Sequence, residues 1–195
     1  MKKIALTGGI ACGKSLTGLF MTEEGVPVCD ADQLAHALMR KGQPVYDDVV
    51  QEFGCEILDR DGEIDRLRLG RVVFDDPGRR AVLNALVHPA VRHAIQQWLE
   101  GHAAFPVAVV IIPLLYEAGI EIGWDAVISV ASPRDNQWTR LMERGLTERE
   151  ATQRLAAQLP QVEKMSRADW VIFNSGTREL LKEQVKAVLR RIVES

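Results

Sequence analysis

The chain has 195 residues, 47% of them hydrophobic, and a formal net charge of −3. That length suits one domain or one domain with an insert, and the apolar share fills a sizeable core and excludes a disordered chain. The mild negative charge argues against a general nucleic-acid or membrane-surface binder, and the apolar runs fall far below the ~18 residues of a membrane span.

Lys3 to Thr7 is short and apolar enough for a buried strand, and Leu16 to Glu24 follows the helical period. Between them lies Gly8-Gly9-Ile10-Ala11-Cys12-Gly13-Lys14-Ser15, a match to the phosphate-cradling pattern G-x-x-x-x-G-K-[ST] in its required strand–turn–helix context. Glycines let the backbone curl so that N–H groups converge on an anion. The helix N-terminus adds its dipole, Lys14 supplies a point charge for β- and γ-phosphates, and the Ser15 hydroxyl suits Mg²⁺.

Val26-Pro27-Val28-Cys29 reads as a second strand with Asp30-Ala31-Asp32 at its carboxyl end, where open α/β sheets place ligands. These carboxylates serve either metal and proton transfer or the capping of the next helix, with Asp30 as N-cap. From Ala31 to His102 the pattern is helical, a block too long for a simple crossover and therefore an expected inserted subdomain. Asp65 caps one expected helix, Asp76-Pro77 opens another, and His88-Pro89 opens a further one running to about Leu99. The block carries Arg66 and five other helical arginines, each suited to phosphate or to a solvated face.

Val107 to Ile112 is an unbroken apolar run, the signature of a central parallel strand. No aspartate closes it, which turns attention back to Asp30 and Asp32. Ala126 to Ala131 is the fourth strand, and Ser132-Pro133 is expected to cap a helix on which Gln137, Arg140 and Arg144 share a face. That face closes over nucleotide phosphates as a lid or forms a solvated arginine-rich hairpin. Thr147 with Glu150 makes a capping box. Asp169 to Phe173 is the fifth strand, ending at Asn174, and Leu180 to Ile192 supplies an apolar helix face. Cys12, Cys29 and Cys55 lack metal spacing, and with no room for a signal peptide before the first strand the expected compartment is the cytoplasm.

In order along the chain, Leu6-Thr7-Gly8-Gly9-Ile10, Gly13-Lys14-Ser15, Asp30-Ala31-Asp32, Asp65-Arg66, His88-Pro89, Ile112 to Glu117, Gln137 with Arg140 and Arg144, Gln158, and Ala168-Asp169 through Asn174 resemble the dephospho-coenzyme A kinases. Ala11-Cys12 departs from the family's usual Gly-Ser, and Leu16 from its usual Thr. The resemblance implies an α/β three-layer P-loop kinase fold with a five-stranded parallel sheet. It implies a nucleotide-binding core at 1–29 and 103–195, a lid at about 133–165, and an acceptor-binding helical insert at 30–102. The implied reaction moves the γ-phosphoryl of ATP, with Mg²⁺, to the ribose 3′-hydroxyl of dephospho-coenzyme A. Gly8, Gly9, Ile10, Ala11, Cys12, Gly13, Lys14, Ser15, Leu16, Arg140 and Asn174 are then expected on ATP. Ser15 and Asp30 are expected on the metal, and Asp32, Arg66, His88, Leu115 and Glu117 on the acceptor. Asp32 is the expected base, with Lys14, Arg140 and Arg144 as catalytic cations. A small-molecule partner is expected, without nucleic acid or membrane. The alternatives are another small-metabolite kinase of this fold or a nucleotide switch, although the guanine-reading Asn-Lys-x-Asp pattern is absent.

Overall fold

A computed structural model describes residues 1–74 and 76–194. Its strands are β1 (Lys2–Gly8), β2 (Val28–Asp30), β3 (Val107–Ile111), β4 (Ala126–Ala131) and β5 (Trp170–Phe173), which form one sheet in the order β2-β3-β1-β4-β5. The ladder is parallel from β3 through β1 and β4 to β5. Every position of β3 and β4 is buried, as strands covered on both faces require.

Two compact units divide the chain, one of residues 1–29 with 101–195 and one of residues 30–100. In the first, helices α1 (Lys14–Glu23) and α9 (Arg178–Glu194) bury Phe20, Met21, Leu181, Val185 and Ile192 against Ile4, Leu6, Val109 and Ile128 of the sheet. β1 is the middle strand, so its carboxyl end delivers the phosphate loop at the centre of the sheet edge. Helices α6 (Arg134–Glu143), α7 (Glu148–Ala156) and α8 (Gln161–Ser166) follow β4. Leu141 and Ala151 pack with Ala11 of the loop, so α6 and α7 are anchored on it. The Thr147–Glu150 capping box is formed at α7.

The second unit holds α2 (Ala31–Leu38), α3 (Tyr46–Phe53), α4 (Arg66–Phe74) and most of α5 (Pro77–Gly101). Its own core is Val49, Phe53, Ile57, Leu69 and Val87. Asp30 does N-cap α2, accepting from the N–H groups of Asp32 at 2.9 Å and Gln33 at 3.2 Å.

Three local expectations are corrected. His88-Pro89 does not open a helix but lies inside the single helix α5. The missing proline N–H removes one helical bond, to the Ala85 carbonyl, and packing of Val87 and Ile95 on either side outweighs that loss. Ser132 does not cap α6: its N-cap is Pro133, and the Ser132 hydroxyl donates to the Asn174 carbonyl at 2.8 Å. The second strand starts two residues later than Val26 and includes Asp30, though the Pro27 carbonyl already accepts from Val109 N–H at 2.9 Å.

Candidate active site

Gly8 and Gly13 both adopt positive φ, 144° and 100°, which favours glycine. Space excludes a side chain as well. A Cβ at Gly8 would stand 2.2 Å from the Val130 carbonyl oxygen, and one at Gly13 2.2 Å from Asn174 Nδ2. Ala11 is left-handed at φ 59°, a conformation that costs a residue with a Cβ about 1–2 kcal/mol. Lys14 Nζ donates to the carbonyls of Gly8 at 3.0 Å and Gly9 at 2.9 Å, so the ammonium lies along the loop it serves. Ser15 is exposed in the first turn of α1. Leu16 turns away from this side and packs partly buried against the sheet core.

Side chains from distant elements hold the loop. Gln137 Nε2 donates to the Ile10 carbonyl at 2.7 Å, Arg140 Nη1 to the Ala11 carbonyl at 2.9 Å, and Asn174 Nδ2 to the Cys12 carbonyl at 2.9 Å. Gln158 Oε1 accepts the Ile10 N–H at 2.9 Å. The Cys12 thiol donates to Gln161 Oε1 at 2.9 Å and accepts from Gln137 Nε2 at 3.1 Å. Burial pushes the Cys12 pKa up despite the pull of Lys14, which keeps the thiol protonated for that donation.

This changes the expected roles of one helix face. Gln137 is buried, and Arg140 is committed to Ala11, to the Ser132 hydroxyl at 3.2 Å and to the Asn174 carbonyl at 3.5 Å. Both belong to the loop's support in this structure, whereas Arg144, at the C-cap of α6, is exposed. The Asn174 amide, expected on ATP, likewise donates to the Cys12 carbonyl.

Asp32 is exposed in the first turn of α2, after the carboxyl end of edge strand β2. Leu115 is fully buried, and its side chain is a packing group. The Glu117 carboxylate, 18% exposed, pairs with the fully buried Lys164 at 2.7 Å and accepts the Leu159 N–H at 2.9 Å. Burial raises the Glu117 pKa, but the bonds from Lys164 and Leu159 outweigh it and hold the carboxyl below its ordinary range. Neither side chain is therefore presented to an acceptor here. Instead, Glu117 fastens the segment before α8 to the residues after β3.

The insert unit contains a cavity of about 700 Å³. Arg40 and Arg66 supply its cationic wall, with His36 and Glu63 also in the lining, and Met39, Leu69 and Leu83 an apolar one. Burial, then Arg66, holds the His36 pKa below its ordinary value. His88 lies on α5, where partial burial and Arg92 also depress its pKa. His36, Arg40, Gln161 and Lys164 escaped the sequence reading because each is a common residue type, on a helix or, for Arg40, just after one, with no spacing signal.

A five-stranded sheet with a phosphate loop after its middle strand, and helices on it, defines a P-loop phosphotransferase. A shikimate kinase from Acinetobacter baumannii shares this fold at a TM-score of 0.54 and 15% identity. The family model of dephospho-CoA kinase matches residues 2–179. Dephospho-CoA kinases from Geobacillus kaustophilus and Anaeromyxobacter dehalogenans are each 47% identical to this chain, over 96% and 97% of it and 95% and 91% of their own length. The solved dephospho-CoA kinase of Campylobacter jejuni is 27% identical, with a TM-score of 0.73 over 100% of this chain and 98% of its own. The structure of TT1252 from Thermus thermophilus is 36% identical, with a TM-score of 0.86 over 97% of both chains. The chain belongs to the dephospho-CoA kinase family.

Proposed function

We propose that the protein transfers the γ-phosphoryl group of ATP to the ribose 3′-hydroxyl of dephospho-coenzyme A, giving coenzyme A and ADP. The observation that carries this is family membership across the phosphate loop, the Asp30–Asp32 pair and the insert together. The loop alone specifies only a phosphate.

Lys14 moves from the Gly8 and Gly9 carbonyls to the β- and γ-phosphates when the donor binds, exchanging two neutral acceptors for anionic ones. Asp32 accepts the 3′-hydroxyl proton and orients that oxygen for in-line attack. Arg144, exposed and not engaged by the loop carbonyls, offsets charge on the transferring group. Ser15 and Asp30 would hold the metal. Asp30 spends Oδ1 on its cap, and no cluster of three His, Cys, Asp or Glu side chains suited to a metal occurs among the described residues. A sparse set of hard oxygen donors fits Mg²⁺, which keeps waters and phosphate oxygens as its other ligands. When bound, the ion neutralises phosphate charge.

The insert holds the acceptor. Its cavity of about 700 Å³ lies in the range of small-molecule sites, roughly 300–1,000 Å³. Arg40 and Arg66 match the diphosphate, and Met39, Leu69 and Leu83 match the pantetheine arm. A reducing cytoplasm is the proposed compartment, supported by Cys12, Cys29 and Cys55 standing outside any disulfide. No described helix is long and apolar enough to cross a membrane.

A coupled ADP-release assay tests the function. ADP should appear only with dephospho-coenzyme A in a panel that includes shikimate and nucleoside monophosphates. Equal turnover with another acceptor, or none with dephospho-coenzyme A, would refute it.

A further inference from the structure

Three successive carbonyls of the phosphate loop are each taken by a side chain from far along the chain. Ile10 is held by Gln137, Ala11 by Arg140 and Cys12 by Asn174, at 2.7, 2.9 and 2.9 Å. A trans peptide is planar, so the N–H of the following residue points opposite to each held carbonyl. Fixing the Ile10 and Cys12 carbonyls therefore fixes the directions of the Ala11 and Gly13 N–H groups. The Cys12 N–H is spent on a tight turn to the Gly9 carbonyl at 3.3 Å, and the Ile10 N–H on Gln158. A second layer stands behind the first. Gln161 Oε1 accepts both the Cys12 thiol at 2.9 Å and the Ser132 N–H at 3.0 Å, and its Nε2 donates to the Ser132 carbonyl at 3.1 Å. Ser132 follows the end of β4, so the loop is referenced to the sheet through a glutamine and a thiol.

We propose that Gln137, Arg140 and Asn174 are positioning residues, which hold the phosphate loop carbonyl-outward so that its remaining N–H groups are preset for the donor phosphates, with the Cys12 thiol joining this brace to Gln161. Each acts through a loop carbonyl. Preset donors need no reorganisation when charge arrives, the condition under which such groups contribute most. The inference rests on Gly8–Ser15 being the donor-phosphate site and is independent of the acceptor's identity. The Cys12 thiol reaches two amide side chains at once, accepting from Gln137 and donating to Gln161.

Gln137→Glu and Asn174→Asp keep shape but place an anionic oxygen against a carbonyl, and Gln137→Met removes the donor without adding charge. Calorimetric titration with inorganic pyrophosphate and with ATP should show affinity lowered about tenfold or more in each variant. The KM for dephospho-coenzyme A should stay at the wild-type value. Unchanged pyrophosphate and ATP affinity in Gln137→Met would overturn the proposal. So would a parallel loss for both substrates that tracks a lowered Tm, since that is the mark of a purely structural role. If the charged variants fail to fold, Gln137→Met decides alone. Brace-dependent pyrophosphate binding supports the inference even where dephospho-coenzyme A is not phosphorylated, so the two proposals fail separately.

Discussion

In residues 1–29 with 101–195, the groups proposed to meet a phosphate are mostly backbone N–H groups, set by a loop between a buried strand and a helix. In residues 30–100, the groups that line the cavity are side chains of α2, α4 and α5 and of the segments between helices, standing on a core of Val49, Phe53, Ile57 and Leu69. The first arrangement tolerates almost no change of shape, because at Gly8 and Gly13 an added Cβ meets other atoms at 2.2 Å. The second can be retuned one side chain at a time. On the proposed function, a chain of this build keeps its donor chemistry fixed and its acceptor selectivity adjustable.

The contrast can be broken at several strengths. Asp32→Asn should lower kcat by about 10²–10⁴ with the fold intact, since the proton acceptor is lost and little else. A drop of only a few-fold would move the base elsewhere. Glu117→Gln strands the buried Lys164 ammonium and should destabilise the chain by an amount near the lower end of about 3–5 kcal/mol, seen in denaturant unfolding. Its pH dependence has a definite sign. The Glu117 pKa is depressed in the folded state, so the pair's stabilisation is full above the ordinary value of 4.5 and is lost as pH falls through the lower folded value. Wild-type Tm should therefore fall on acidification below about pH 4.5 more steeply than that of the variant. A matching slope would deny the pair this role.

Smaller changes sharpen the same contrast. Arg40→Ala should raise the KM for dephospho-coenzyme A about tenfold and leave the KM for ATP alone. Equal shifts in both would mean the insert cavity is not a separate acceptor subsite. Thr147→Ala removes the α7 cap and should cost about 1 kcal/mol of stability by denaturant unfolding, with steady-state constants unchanged.

The parts legible in the sequence are those whose physics is local. Gly8–Ser15, the buried run at Val107, the Asp30 cap and the Thr147–Glu150 box are each decided within a few residues. The brace is not local. Asn174 meets Cys12 across 162 positions, and Gln161 meets it across 149, with amide side chains that carry no periodic or spacing signal. Gln137 and Arg140 illustrate the limit best. Their common helix face was visible, but a face turned onto the loop's carbonyls has the same three- and four-residue spacing as one turned over a nucleotide. Pro89 shows the other limit, where tertiary burial carries a helix through a residue that locally ends it.

Ala11 has a thermodynamic consequence of its own. A glycine at that position would let the vacant loop sample many backbone shapes, and binding would then have to freeze them. A methyl group narrows the choice but disfavours the left-handed geometry found here, so that geometry has to be held from outside, and the Arg140 bond to the Ala11 carbonyl holds it. The conformational entropy that many anion-binding loops lose when their ligand arrives has here been surrendered during folding, so nucleotide binding carries a smaller entropic penalty.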